Sequence, residues 1–281
     1  MNAGALVAGR LVSLIRWVVL LLFLLIVLLP LVWLLASSFL PNREFFSRPL
    51  ALASTRWDLR NYVGVLQAQP MLRYLLNSLF VSLVSAAAGS IIALLSAFVF
   101  LFHFPMKRLF YSLMVFGLFV PISAFMIPYF LMISRIGLYD SLPGIALVYA
   151  GVSLPTAFLI VSTHMKEAVY GEFIEASFLD GASLSQMFAR IAAPLSLPGA
   201  MTSSIFLLII GWNELLYALL LSQNDGSRTV QVAISFLVAT YTANFTEAFA
   251  AMILAMLPVV VIYIFLNQRI VAGLGMAAGL K

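Results

Sequence analysis

The sequence predicts an all-α integral membrane protein with six transmembrane helices. Three observations predict it. Of the 281 residues, 64% are hydrophobic and 9% are charged, whereas a soluble domain carries roughly 25% charged residues. Six long windows contain no Asp, Glu, Lys or Arg. One long polar interruption breaks the series, between the fourth and fifth windows. So few polar residues cannot cover a water-facing surface, which excludes a soluble enzyme with a large core.

The charge-free windows are 17–42, 74–102, 109–134, 141–165, 191–213 and 248–268. A spanning helix needs about 20 apolar residues, and longer windows are accommodated by tilt. Spans are therefore expected at about 17–40, 74–102, 109–133, 141–163, 199–222 and 248–268, with loops 41–73, 134–140 and 223–247 on one side and 164–198 on the other. The first window follows Arg10 and Arg16. Its apolar core runs well past the roughly 7–15 residues of a signal peptide, so a retained helix is expected. The second carries Ser78, Ser82, Ser85, Gly89, Ala93 and Ser96 on one helix face. Small residues permit close helix packing, so the face reads as a helix–helix seam, with a pore-lining face as the alternative.

The third and fourth windows hold Pro121, Pro128, Pro143 and Pro155, each able to kink its helix. Glu214 falls within the fifth span near its outer end, and Glu247 starts the sixth. Two acids at outer ends make no proton relay across a bilayer. The stretch 229–246, rich in Thr, Ser and Asn, is expected to be a loop that dips into the interface.

Other chemistries lack their residues. There is no cysteine, hence no disulfide and no thiolate site. His103 and His164 have no HExxH or other ligand spacing, so no metal is expected. The only lysines are Lys107, Lys166 and Lys281, and none completes GxxxxGK[ST], so the chain has no P-loop and no catalytic residue of its own. The net charge of +5 is spread thinly between apolar segments. It forms no basic face for nucleic acid.

The interruption reads KEAVYGEFIEASFLDGASLSQMFARIAAPLSLPG. It parses as two short helices. The first runs from about Gly171 to Asp180 and is closed by Gly181, which tolerates positive φ. The second opens on Ser183 with Gln186 three residues on, the capping-box spacing. Leu184, Met187, Phe188 and Ile191 then form an apolar stripe, and Pro194 and Pro198 are expected to stop the helix. Glu172, Glu175 and Asp180 make the first half acidic. A helix lying on lipid is normally Lys/Arg-rich. A capped, partly apolar and acidic knob suits a groove on a soluble partner instead.

Glu175-Ala176-Ser177, Gly181, Ile191 and Pro194 stand at the spacing of the EAA loop of bacterial ABC importer permeases, which this segment resembles. Ser177 and Ala193 replace an Ala and a Leu of that motif. Asp180-Gly181-Ala182-Ser183, Asn77-Ser78, Gly137-Leu138, Trp212-Asn213-Glu214 and the Gly-rich tail from Val271 are similar to the carbohydrate-importer branch, in particular to the maltose-type second permease. The resemblance implies a type I importer permease fold in a bacterial inner membrane. It implies that the loop is a coupling helix seated on an ATPase subunit through Glu175, Ala176, Ser177, Asp180, Gly181, Ala182, Phe188, Ile191 and Pro194.

The partners it implies are a second, homologous permease, two cytoplasmic ATPase subunits holding ATP and Mg, and an extracytoplasmic binding protein. No cofactor is expected on this chain itself. Basic residues divide eight against seven between the two sides and settle no orientation. A loop on an ATPase must be cytoplasmic, which puts both termini inside for six helices. Trp212, Asn213, Glu214 and Tyr217 are the candidate pathway residues for a sugar, with an oligosaccharide, a polyol or a glycerol phosphate as the substrate class. An ion-coupled secondary transporter would need midplane ionisable groups or an internal repeat, and neither is present in the sequence.

Overall fold

The computed structural model describes residues 3–50, 57–169, 171–239 and 244–277. Residues 51–56 and 240–243, in the predicted loops 41–73 and 223–247, lie outside the described residues, as do the side chains of Arg10, Glu172 and the Gly-rich tail. Among the described residues every regular element is helical. Five helices are long and apolar enough to cross a membrane, and a bent pair supplies a sixth crossing if counted as one span. The chain divides into two compact units, residues 1–69 with 236–256 and residues 70–235 with 257–281.

In the first unit, α1 (Ala3–Ser38) is a single helix with Pro30 inside it. Its leucines and valines from Leu11 to Val32 are exposed, as lipid-facing side chains are. Its end is tied down by α3 (Arg60–Ala68), because Asn61 Nδ2 donates to the carbonyls of Ser38 and Leu40, both at 2.8 Å. The Ser38 and Tyr62 hydroxyls pair at 2.7 Å. Phe45, from α2 (Asn42–Ser47), stacks edge-on with Phe249 of α13 (Phe245–Ala277), whose first part belongs to this unit. Glu247 lies in the first turn of α13, where the helix dipole favours a carboxylate.

The second unit is built on α4 (Met71–Val99), α7 (Leu142–Ala168) and α10 (Ala193–Asn213), which pack on one another. The small-residue face of α4 lies in this seam, with Ser78, Ser82, Ser85 and Ala93 buried. The Ser90 hydroxyl bonds those of Ser203 at 2.8 Å and Ser204 at 2.9 Å across the contact. The close approach has a cost in sequence freedom: a Cβ on Gly199 of α10 would lie 2.5 Å from His164 Cβ of α7.

Two expected spans are interrupted. Over 109–133 the chain forms α5 (Lys107–Gly117) and α6 (Met126–Arg135), bent by 108° with a short 3₁₀ turn at Ile122–Phe125. Pro121 lacks an N–H and pushes residue 120 out of the helical region, so one straight helix cannot pass. Over 199–222, α10 ends at Asn213 and a short α11 (Leu216–Leu221) follows. The remaining helix, α12 (Val230–Ala239), is 10 residues long, too short to cross.

Candidate functional site

The loop 169–192 projects from the end of the α4–α7–α10 bundle. It contains α8 (Gly171–Leu179) and α9 (Leu184–Met187). Gly181 has φ +72°. Ala182 N donates to Ser177 O at 3.0 Å and Gly181 N to Phe178 O at 3.1 Å, the paired 6→1 and 5→2 bonds of a Schellman motif. Ser183 then starts α9 with a reciprocal capping box, Ser183 N donating to Gln186 Oε1 at 2.8 Å and Gln186 N to Ser183 Oγ at 3.4 Å. The two caps meet across a single residue, Ala182, so the angle between the helices is fixed by hydrogen bonds.

Its inner side is anchored. Met187 is buried, and Ile174, Ala182 and Phe188 pack against the cluster of Ala97, Phe98, Met165 and Val169 at the end of α4 and α7. Phe188 meets Phe98 ring to ring at 5.3 Å, and Phe178 meets Phe102 at 6.3 Å. Ser177 is buried and donates to Phe173 O at 2.5 Å. Here the stripe expected from the sequence is corrected. Met187 and Phe188 turn toward the chain's own bundle and Ile191 is half-buried, while Leu184 alone of the four is exposed.

The outward face joins Leu184 to three residues that sequence reasoning missed, Phe173, Phe178 and Leu179. Leu179 is 89% exposed, and Phe173, Phe178 and Leu184 are exposed beside it. The available signal was that a nine-residue helix carries apolar residues on both sides, more than one buried face can absorb. Glu175, Ala176 and Asp180 share this exposed surface, and neither acid forms an ion pair among the described residues.

Pro194 and Pro198 do not stop the second helix, contrary to the expectation. A π turn at Phe188–Ala192 leads directly into α10, with Pro194 in its first turn. Proline is tolerated where the first N–H groups have no helical partner. The wider π turn absorbs the remaining mismatch, so the knob continues rigidly into a spanning helix.

The candidate pathway residues take different places in the second unit. Trp212 and Tyr217 are buried core side chains. Asn213 is exposed and its Nδ2 donates back to Ile209 O at 2.8 Å. Glu214 caps α11, its carboxylate accepting from Tyr217 N at 3.0 Å and Ala218 N at 3.2 Å, while its own carbonyl accepts from Tyr149 OH at 3.1 Å. Tyr217 OH donates to Ile122 O at 2.6 Å, at the break between α5 and α6. The group therefore ties two interrupted spans together.

At the opposite end of the unit, the segment 222–230 is knotted onto α4. Asn77 Nδ2 donates to Gly226 O at 3.1 Å and Arg228 O at 2.9 Å, and Tyr74 OH donates to Asp225 at 2.9 Å. Asp140 accepts from Gln223 N at 2.7 Å, from Asn224 N at 3.1 Å and from the side chains of Asn224 and Ser227. Partial desolvation pushes its carboxyl up, but the hydrogen bonds from Ser227, Gln223 and Asn224 together outweigh it and hold the group below the usual carboxylate value.

The chain belongs to the family of binding-protein-dependent transport system inner membrane components, matching it over residues 87–275. It is 30% identical over 250 residues to the trehalose transport system permease protein SugB of Mycobacterium tuberculosis, covering 88% of this chain and 90% of that one. It is 27% identical to the diacetylchitobiose uptake system permease protein NgcG of Streptomyces coelicolor, covering 87% and 82%. Its fold matches a chain of a bacterial ABC transporter involved in the import of the acidic polysaccharide alginate, with TM-score 0.78, 20% identity and coverage of 93% and 97%.

Proposed function

We propose that this chain is one of two homologous permease subunits that line the translocation pathway of an ATP-driven importer for an oligosaccharide. The observation that carries the reading is the loop 169–192: two hydrogen-bonded caps, an anchored inner side, and an outer face of Phe173, Leu179 and Leu184 beside Glu175 and Asp180, which form no ion pair among the described residues. An apolar knob with exposed carboxylates suits a cleft with basic groups on a soluble subunit. The partners in this reading are a second permease, two cytoplasmic ATPases that bind ATP and Mg, and an extracytoplasmic binding protein, the last supported by the family's own description.

ATP-driven closure of the ATPase pair carries the loop, and the loop tips the bundle between inward-open and outward-open states. The energy enters through contacts that differ between the two states. Glu175, Ala176, Ser177, Asp180, Gly181 and Ala182 form the contact and its turn, and Phe188, Ile191 and Pro194 transmit it into α10. The loop and both termini are cytoplasmic in this arrangement. Trp212, Glu214 and Tyr217 act as scaffold for the pathway, and exposed Asn213 is the one placed to meet substrate. Trehalose and diacetylchitobiose in the names of the relatives support an oligosaccharide over a polyol or glycerol phosphate.

The test is vanadate-sensitive uptake by the complex reconstituted with its partner subunits, for wild type and Glu175→Arg. Charge reversal is expected to leave assembly normal and to uncouple ATP hydrolysis from uptake. Unchanged uptake by the variant would contradict the assignment. Titrating the cognate binding protein with a sugar panel reads the substrate separately.

A further inference from the structure

A cavity of about 770 Å³ lies at the end of the second unit from which the loop projects, and its wall includes His103, Lys107, Arg108, Tyr111 and Lys166. Among the described residues, no Asp or Glu lines it. Lys107 and Arg108 open α5, whereas Lys166 arrives from the last turn of α7. Lys166 Nζ sits 4.9 Å from the Tyr111 ring centre, a cation–π contact. Lys107 Nζ donates to Phe102 O at 2.9 Å, which leaves two of its three ammonium hydrogens free. None of the three cations forms an ion pair among the described residues.

Charges that only set membrane orientation need to lie near a span, with no requirement to converge. Here residues nearly sixty positions apart aim at one aromatic-walled space. The wall also holds the apolar side chains of Phe104 and Met106. A soluble anion has no use for such a wall, but an acyl chain does.

We propose that the cavity binds the headgroup of an anionic phospholipid, with its phosphate between Lys107, Arg108 and Lys166 and the start of an acyl chain against Phe104 and Met106. Basic pockets between membrane helices suit such headgroups, each cation near the surface strengthening binding about five-fold. The site stands independently of which substrate the protein carries.

The test is native mass spectrometry of the full-length chain in detergent, titrated with phosphatidylglycerol or phosphatidylcholine. Preferential retention of phosphatidylglycerol is expected, weakened about five-fold by Arg108→Gln, an exposed position, and further by Lys166→Gln. Lys166→Arg should restore it, and Arg135→Gln, on α6, should leave it unchanged. Equal retention by wild type and Arg108→Gln would overturn the proposal. Displacement of the lipid by millimolar inorganic phosphate would overturn it in favour of a soluble-anion site. A photoreactive residue at Ser112 that captures a protein subunit in native membranes, in place of lipid, would overturn it in favour of a protein interface.

Discussion

Gly181 is the residue on which the loop turns. At φ +72° it occupies the left-handed region, which costs a residue with a Cβ about 1–2 kcal/mol. Gly181→Ala is therefore expected to loosen the angle between α8 and α9, lowering uptake while membrane insertion and expression stay normal. Parallel measurement of uptake and of detergent-solubilised yield checks this. Asp140 plays the corresponding part at the other end. A carboxyl held below its usual value stabilises the folded state above the unfolded value of about 3.9, and that contribution disappears as the pH falls through the folded value. Asp140→Asn should lower the thermal midpoint at pH 7, and the gap to wild type should close below about pH 4.

At the scale of the helices, the breaks carry the new information. Tyr217 joins the interruption after α10 to the interruption after α5. Tyr217→Phe keeps the packing against Tyr129, whose ring lies 5.6 Å away, but removes the hydrogen bond, at a cost of about 1 kcal/mol. Increased labelling of a cysteine placed at Ser123 is the expected readout.

The spans were legible because charge-free length is a one-dimensional property, and so were both caps, because capping is local: Ser183 with Gln186, and Gly181 after α8. The breaks were less so. Pro121 was visible, yet a membrane helix can absorb a proline when neighbours satisfy the freed carbonyl, and the partner that fixes Ile122 here is Tyr217, 95 positions away. The Glu214 carboxylate was read as a pathway candidate for the same reason. Its role as a cap depends on a helix end that the apolar run 215–221 conceals. The facing of Met187 and Phe188 depended on Phe98 and Met165, which only the fold brings to the loop.

For the whole molecule, two ends of one bundle carry different duties. One is knotted by Asp140, Asn77 and the segment 222–230. The other offers a rigid, acidic and apolar knob continuous with α10. In the proposed coupling, force that enters at the knob needs a stiff connection, and the π turn with Pro194 leads into α10 without a break. The chain belongs to the family of binding-protein-dependent transport system inner membrane components and shares the fold of an importer chain, and coupling through the loop is the central proposal. It is tested most directly by a photoreactive residue at Leu179, 89% exposed at the tip of the knob, in membranes that contain the whole transporter. The account predicts a cross-link to a subunit bearing a nucleotide-binding P-loop, with a yield that changes when ATP and vanadate are added. Cross-links to lipid alone, in either nucleotide state, would contradict it.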